Sequence, residues 1–221
     1  MEAILPRDLP DVPGYELAAR YLPSGSRVAG DWYDVAALPS GEFLIGIGDV
    51  GGHGIEAASL MGQLRNSARG FAVTGHSPAA LLDALRSVTW DVEDCFATAA
   101  YAVLDPERHT LRWSAAGHLP PLAFEVGHAA YLEHVPAPPL GCAGPPLTEQ
   151  RAVLWSTGCG LVLVTDGVVE SRRRGLDEGM EQLRSLVEVH AKAGAEELVE
   201  RITDLCSMPE DDCCIVVVKR R

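Results

Sequence analysis

Features that mark several common protein classes are missing from this chain. No apolar run reaches the ~18 residues that a membrane helix requires, and the first residues lack the apolar core of a signal peptide. Basic residues are also few, since 18 Lys and Arg stand against 31 Asp and Glu, for a formal net charge of −13. Nucleic-acid binding needs a basic surface. The sequence therefore predicts a cytoplasmic protein that binds neither membranes nor nucleic acid.

Motifs of several enzyme classes are absent as well. The chain has no GxSxG, no GxxxxGK[ST] loop and no GxGxxG after a strand, which removes the usual signs of serine hydrolases, P-loop enzymes and dinucleotide-binding domains. Its cysteines form no CxxC pair, so a zinc site is not expected and reduced thiols are favoured. The six cysteines are Cys95, Cys142, Cys159, Cys206, Cys213 and Cys214.

What is present predicts one α+β domain. The chain has 221 residues, of which 47% are hydrophobic, enough for one sizeable core. Residues 1–13 form a proline-rich and acidic lead-in, and residues 14–221 carry the domain without an evident linker or repeat. Ser77 and Pro78 give a helix start signal. Hydrophobic patterns predict strands at 15–22, 29–35, 43–47, 96–104, 110–115, 122–125, 129–134, 152–155, 161–164 and 213–219, and helices at 55–71, 77–91, 176–191 and 195–206.

Aspartates recur where predicted strands end. Asp31, Asp49 and Asp166 stand beside glycine, and Asp211 is followed by a second aspartate. Glycine lets the backbone bend and approach a ligand closely. Hard divalent cations such as Mg²⁺ and Mn²⁺ prefer oxygen ligands, and two such ions can lower the pKa of a shared water for attack on phosphorus. The pattern therefore favours a metal site, although any one of these residues alone fits an ordinary turn or cap.

Five motifs follow one another in a characteristic order. They are Gly30-Asp31-Trp32-Tyr33-Asp34, Gly48-Asp49-Val50-Gly51-Gly52-His53-Gly54, Ala116-Gly117-His118-Leu119-Pro120-Pro121, Thr165-Asp166-Gly167-Val168-Val169-Glu170 and Asp211-Asp212. In this order they resemble the SpoIIE/RsbU-like family of metal-dependent (type 2C, PPM) protein serine/threonine phosphatases. The resemblance runs from about residue 5 to residue 219.

The resemblance implies a fold and a metal centre. The expected fold is a four-layer αββα sandwich of two antiparallel sheets flanked by helix pairs. Asp31 and Asp49 would be shared ligands of two Mn²⁺ or Mg²⁺ ions, with room for a third, and the Val50 carbonyl would join them. Asp166 and Asp211 would complete the shell of one ion. A water that bridges the ions would attack the phosphoryl group.

The resemblance also implies a substrate and a mode of regulation. The substrate would be phosphoserine or phosphothreonine on a regulatory protein, commonly a STAS-type anti-sigma-factor antagonist, within sigma-factor regulation and stress-response signalling. The helices over 55–91 resemble the family's switch pair, on which a regulatory domain or protein would act. A homodimer is compatible with this scheme.

Several roles stay open at the level of sequence. His53 is a candidate proton donor to the leaving group or an ordering residue of the turn. Four residues are candidates either for hydrogen bonding to the metal ligands or for purely structural roles: Asp34, Asp212, Gly167 and His118. The run 172–174 is either a solvated basic loop or a contact for an acidic phosphoprotein. A catalytically weak binding module and a hydrolase of small phosphoesters are the alternative functions.

Overall fold

The computed structural model describes residues 5–6, 8–25, 30–52, 54–89, 96–133, 136–153, 156–206 and 211–221, apart from the side chains of residues 151 and 153. Within these ranges the chain forms ten β-strands and four α-helices. The strands are β1 Tyr15–Leu22, β2 Trp32–Ala37, β3 Phe43–Val50, β4 Ala97–Asp105, β5 Thr110–Ala116, β6 Leu122–Glu125, β7 His128–Tyr131, β8 Gln150–Val153, β9 Gly160–Val164 and β10 Cys213–Arg220. The helices are α1 Ile55–Val73, α2 Pro78–Thr89, α3 Leu176–Val189 and α4 Ala195–Leu205, and a 3₁₀ turn covers Asp166–Val168.

The order of these elements confirms the predicted α+β class with two antiparallel sheets and two helix pairs. One difference in bounds affects the candidate site, because β3 was predicted to end at residue 47 and ends at Val50. Asp49 and Val50 continue the ladder by pairing with Thr98 and Ala97, so the carboxylate belongs to the strand rather than to the turn. β8 begins two residues earlier than predicted, and its predicted end at residues 154–155 lies outside the described residues.

The chain divides into two compact units. The first comprises residues 1–10, 27–118 and 134–153, and the second comprises residues 11–26, 119–133 and 154–221. Each unit contains one sheet and one helix pair. The division into a lead-in at 1–13 and a domain over 14–221 stays a prediction. None of the helices in the described ranges combines the length and the apolar character needed to cross a membrane.

The sheet of the first unit has the order β2-β3-β4-β5-β8, with antiparallel neighbours throughout. Helices α1 and α2 pack against each other and against this sheet. On α1 the buried apolar residues recur at helical spacing: Ala57, Leu60, Met61, Leu64, Ala68 and Ala72. The Ser77 hydroxyl accepts a hydrogen bond from the Ala80 N–H at 3.4 Å, which confirms the predicted start of α2.

Two glycines on β3 make room for two large aromatic rings. Gly48 pairs with Trp32 on β2, and Gly46 pairs with Tyr101 on β4. A Cβ atom on Gly48 would overlap the indole ring, and one on Gly46 would overlap the phenol ring. Both rings are fully buried, and the indole N–H of Trp32 donates to the Tyr101 hydroxyl at 3.4 Å. Glycine is therefore required here by space in the sheet.

The sheet of the second unit has the order β1-β10-β9-β6-β7. Helices α3 and α4 cover it with a core that includes Leu183, Val187, Leu198 and Ile202. Two charged strand residues secure the helix ends. The Glu16 carboxylate accepts from the Ala195 N–H at 2.9 Å at the start of α4, and the buried Lys219 ammonium donates to the carbonyls of Ala191, at 3.0 Å, and Ala193.

Candidate active site

A short turn joins the end of β3, where Asp49 lies, to the start of helix α1. Asp49 and Val50 are the last two residues of β3, and α1 begins at Ile55. Gly52 and Gly54 have φ angles of 101° and 97°, a region that residues with a Cβ rarely adopt. The glycines therefore permit a sharp reversal directly behind the carboxylate. His53 lies outside the described residues, so its role stays a prediction.

The backbone around Gly30 is crowded against the same turn. The Val50 N–H donates to the Gly30 carbonyl at 3.3 Å. A Cβ atom on Gly30 would overlap the Val50 carbonyl oxygen and would lie 3.1 Å from Oδ1 of Asp49. Asp31, the next residue, is only 3% exposed. The first unit thus places the carbonyl of Val50 and the carboxylate of Asp49 beside the residue that precedes Asp31.

The second unit brings Asp166 and Asp211 together. Both line a cavity of about 170 Å³, together with Gly167, Glu170 and Ser171. Asp166 begins the 3₁₀ turn directly after β9, whereas Asp211 precedes β10. Protein atoms crowded around the Asp166 carboxylate remove part of its hydration and raise its pKa, although the side chain still reaches solvent. The nearby Asp211 carboxylate raises the pKa further.

The two neighbouring aspartates at 211 and 212 have different environments. Asp211 is exposed, and its Oδ1 accepts from the Asp212 N–H at 2.8 Å. Asp212 is buried, and its Oδ1 accepts from the Ser24 N–H at 2.7 Å. A Cβ atom on Gly167 would overlap the Asp212 carbonyl oxygen, so this glycine allows the two segments to touch. Asp212 therefore ties β10 to the segment after β1.

The Asp34 carboxylate is directed to helix α1. It is fully buried within β2, and its Oδ1 accepts from Arg65 at 3.0 Å and from Arg69 at 2.6 Å. Its Oδ2 accepts from Nε of Arg69 at 2.6 Å. The hydrogen bonds to Asp34 raise the pKa of Arg69. These bonds engage both carboxylate oxygens, so Asp34 anchors α1 to the sheet.

His118 makes a half-buried contact with the residue that pairs with Asp49. Its Nδ1 lies 2.8 Å from the hydroxyl of Thr98. Thr98 is the residue opposite Asp49 in the β3–β4 ladder. The His118 side chain is buried. This bond fits the structural role that the sequence left open for the histidine.

No group of three or more His, Cys, Asp or Glu side chains able to hold a metal ion occurs among the residues that the structure describes. The predicted ligands include a backbone carbonyl and are divided between the two units, two carboxylates in each. Within each unit they offer oxygen atoms only, the donor type that Mg²⁺ and Mn²⁺ prefer. The close approach around Gly30 and the paired carboxylates of the second unit both fit a bound dication.

Sequence reasoning missed the arginines that bind Asp34 and the arginine that holds the Asp166 turn. Arg65 and Arg69 are spaced i, i+4 on a helix face whose neighbours are buried, and this spacing was a usable signal for a buried acidic partner. Arg174 donates to the carbonyls of Val168 and Val169 at 2.6 and 3.1 Å, directly behind the Asp166 turn. No local pattern distinguished it from the rest of its basic run.

Comparisons with known proteins by family model, by sequence and by structure find relatives of the same kind. The family model for "Stage II sporulation protein E (SpoIIE)" matches residues 39–221. Phosphoserine phosphatase RsbU of Bacillus subtilis is 26% identical over 228 residues, which cover 100% of this chain and 68% of that protein. The solved structure of the RsbU and RsbW domains of Rv1364c from Mycobacterium tuberculosis is 30% identical with a TM-score of 0.84, and the match covers 96% of this chain and 62% of that one.

A more distant solved structure contains metal. It is the catalytic domain of the serine/threonine protein phosphatase PstP in complex with two manganese ions. Its TM-score is 0.66 at 17% identity, and the match covers 93% of this chain and 97% of that one. At that identity the likeness shows the shared fold alone.

Proposed function

This chain belongs to the SpoIIE family of type 2C protein serine/threonine phosphatases, and from that premise we propose that it hydrolyses phosphoserine or phosphothreonine on a regulatory protein. The match of the family over residues 39–221 carries the proposal, because this range includes Asp49, Asp166 and Asp211. In the reaction, a water oxygen would form a bond to phosphorus while the bond from phosphorus to the serine or threonine oxygen breaks. A proton from the water would pass to that oxygen, which releases inorganic phosphate and the free hydroxyl.

We further propose that the reaction depends on Mn²⁺ or Mg²⁺. The proposed ligands are Asp31, Asp49 and the Val50 carbonyl of the first unit and Asp166 and Asp211 of the second, with Asp31 and Asp49 shared by two cations as the resemblance implies. Bound divalent ions would lower the pKa of the attacking water and offset the negative charge of the phosphoryl group. The oxygen-only donor set supports this proposal, as does the pair of manganese ions in the PstP structure.

The residues of the chain have distinct tasks in this scheme. The hydrogen bond from the Val50 N–H to the Gly30 carbonyl, and the close packing at Gly30, hold the Val50 carbonyl and the Asp49 carboxylate near each other. These oxygens would therefore need little rearrangement to bind a cation. Asp166 and Asp211 repel each other when both are ionised, which is the cause of part of the raised Asp166 pKa. A dication beside them would relieve this repulsion and favour the ionised forms.

The proposed substrate is a STAS-type anti-sigma-factor antagonist. Two observations support a regulatory phosphoprotein of this kind. The curated relative is named a phosphoserine phosphatase, and the Rv1364c structure joins an RsbU domain to an RsbW domain. A regulatory protein or a second copy acting on α1 and α2 would modulate the site, because α1 begins five residues after Val50.

The decisive experiment measures phosphate release from a phosphorylated STAS-domain protein with and without Mn²⁺. We expect turnover that requires the metal and stops in excess chelator, because the donors that would bind it are oxygens. Nucleotides and p-nitrophenyl phosphate serve as small-substrate controls. Full activity in excess chelator would contradict the metal proposal. Faster hydrolysis of nucleotides than of every phosphoprotein tested would favour the small-phosphoester alternative.

A further inference from the structure

A tight turn follows the Asp166 segment and presents two arginines to solvent. The backbone N–H of Ser171 donates to the Arg174 carbonyl at 2.9 Å, and the Arg174 N–H donates back to the Ser171 carbonyl at 3.2 Å. The Arg173 N–H also donates to the Ser171 hydroxyl at 3.3 Å. Arg172 and Arg173 occupy the tip of the turn, and both are exposed.

Arg174 holds this turn in place. Its guanidinium donates to the carbonyls of Val168 and Val169, and it reaches Oε1 of Gln182 on α3 at 3.1 Å. Three acceptors on two neighbouring segments fix a planar group with little freedom. The basic run of the sequence is therefore not one feature. Its last member is structural, and its first two members form what we call the arginine tip, Arg172 and Arg173.

The arginine tip adjoins the acidic cavity. Ser171, the residue before the tip, lines that cavity together with Asp166 and Asp211. The turn and the candidate ligands are thus parts of one short segment, in which five residues separate Asp166 from Arg172. A protein substrate whose phosphorylated residue reached Asp166 would bring its flanking residues beside the arginine tip.

Arg173, one residue of the arginine tip, differs from most arginines of this acidic chain. Most described arginines lie within 4.0 Å of a carboxylate oxygen: Arg20, Arg65, Arg69, Arg86, Arg108, Arg112, Arg184 and Arg201. For Arg173, no carboxylate of the described residues lies within this distance. An exposed arginine in a chain with a net charge of −13 supplies a positive charge that an acidic partner can approach.

We propose that the arginine tip is a docking site for acidic side chains that flank the phosphorylated residue of the protein substrate. The inference rests on the proposed function and adds to it a preference for sequence around the phosphoserine. Charge complementarity of this kind acts mainly on encounter and on partner choice. The tip therefore affects the binding of a protein substrate and leaves the chemical step unchanged.

The test uses the full chain and two synthetic phosphoserine peptides, one flanked by glutamates and one by glutamines. We expect the wild type to prefer the glutamate-flanked peptide by about 10-fold in kcat/KM, and Arg173→Glu to abolish that preference through KM. Turnover of p-nitrophenyl phosphate should change by less than about 2-fold, since it lacks flanking residues. The matched control is Lys192→Glu, which makes the same charge change at another exposed site of the second unit.

The outcomes separate this inference from the proposed function. An unchanged preference in Arg173→Glu, the same loss in Lys192→Glu, or an equal fall in p-nitrophenyl phosphate turnover would overturn the docking role. If the wild type hydrolyses none of the substrates with Mn²⁺, the proposed function fails. Docking is then decided by the Kd of each labelled peptide, which fluorescence anisotropy measures without turnover. Tighter binding of the glutamate-flanked peptide, lost in Arg173→Glu alone, would uphold the inference, and equal binding of both peptides would refute it.

Discussion

The two units hold their candidate ligands by different physical means. In the first unit, Asp49 ends a central strand, and the adjoining helix α1 is tied to the sheet by a buried carboxylate between two arginines. In the second unit, the exposed Asp166 begins a short turn, and Arg174 donates half-buried hydrogen bonds to the carbonyls of Val168 and Val169 behind it. One side depends on charge inside the core, and the other depends on half-buried hydrogen bonds of a turn.

This difference predicts how each side fails. A buried charge that loses its partner is costly, because water cannot replace the lost interaction. A half-buried hydrogen bond that is lost is partly replaced by water, so the fold survives with a smaller loss of stability and the local geometry loosens. Damage to the anchor of the first unit should therefore appear as lost stability. Damage in the second unit should appear as weaker metal binding by a protein that stays folded.

Substitution of Asp49 should change turnover more than any other substitution considered for the two units. Asp49→Asn removes a carboxylate proposed to serve both cations, and the neutral amide cannot balance their charge. We expect turnover to fall by at least ~100-fold, in the range that follows removal of a catalytic group. The free energy of unfolding should change little, because the strand and its pairing with Thr98 remain. Steady-state kinetics and denaturant unfolding measure the two quantities, and near-normal turnover with metal bound would refute the assignment.

The second prediction concerns the buried anchor of α1. Asp34→Asn leaves Arg65, whose side chain is only 9% exposed, without the Asp34 charge. Loss of one partner of a buried ion pair costs about 3–5 kcal/mol. The matched control is Glu42→Gln, which breaks the partly exposed ion pair with Arg112 on the same sheet and should cost about 1 kcal/mol or less. Urea unfolding of both variants tests the contrast. Equal losses in the free energy of unfolding would show that burial does not determine how much these ion pairs stabilise the fold.

The sequence predicted the order of elements because the signals for it are local. Short apolar runs mark the strands, and Gly51, Gly52 and Gly54 mark the reversal before α1. The family motifs likewise lie in short stretches, so the candidate ligands could be named before any contact was known. The end of β3 was placed too early because the pairing of Asp49 with Thr98 joins residues far apart in the chain.

The partners of Asp34 and the division of the basic run could not be predicted in the same way. Arg65 and Arg69 lie 31 and 35 residues from Asp34, and their meeting depends on how α1 packs on the sheet. Arg174 differs from Arg173 only in the acceptors that the fold places beside it. Both cases require tertiary contacts: the spacing of Arg65 and Arg69 can indicate a buried acidic partner, but it does not identify Asp34.

The third prediction concerns the hydrogen bonds that hold the Asp166 turn of the second unit, where we expect the smallest change. Arg174→Ala removes the hydrogen bonds to the Val168 and Val169 carbonyls behind Asp166, and we expect a loss of about 1–3 kcal/mol in the free energy of unfolding. The Asp166 turn should then sample more conformations, so that binding a cation must also restore its geometry. The Mn²⁺ concentration for half-maximal turnover should rise several-fold, while turnover at saturating Mn²⁺ changes less, because saturation restores the bound geometry. Arg201→Ala is the control, since it removes an exposed ion pair with Glu197 on α4. A fall in saturated turnover without a shift in the Mn²⁺ requirement would place Arg174 in the reaction itself and contradict a role in holding the turn.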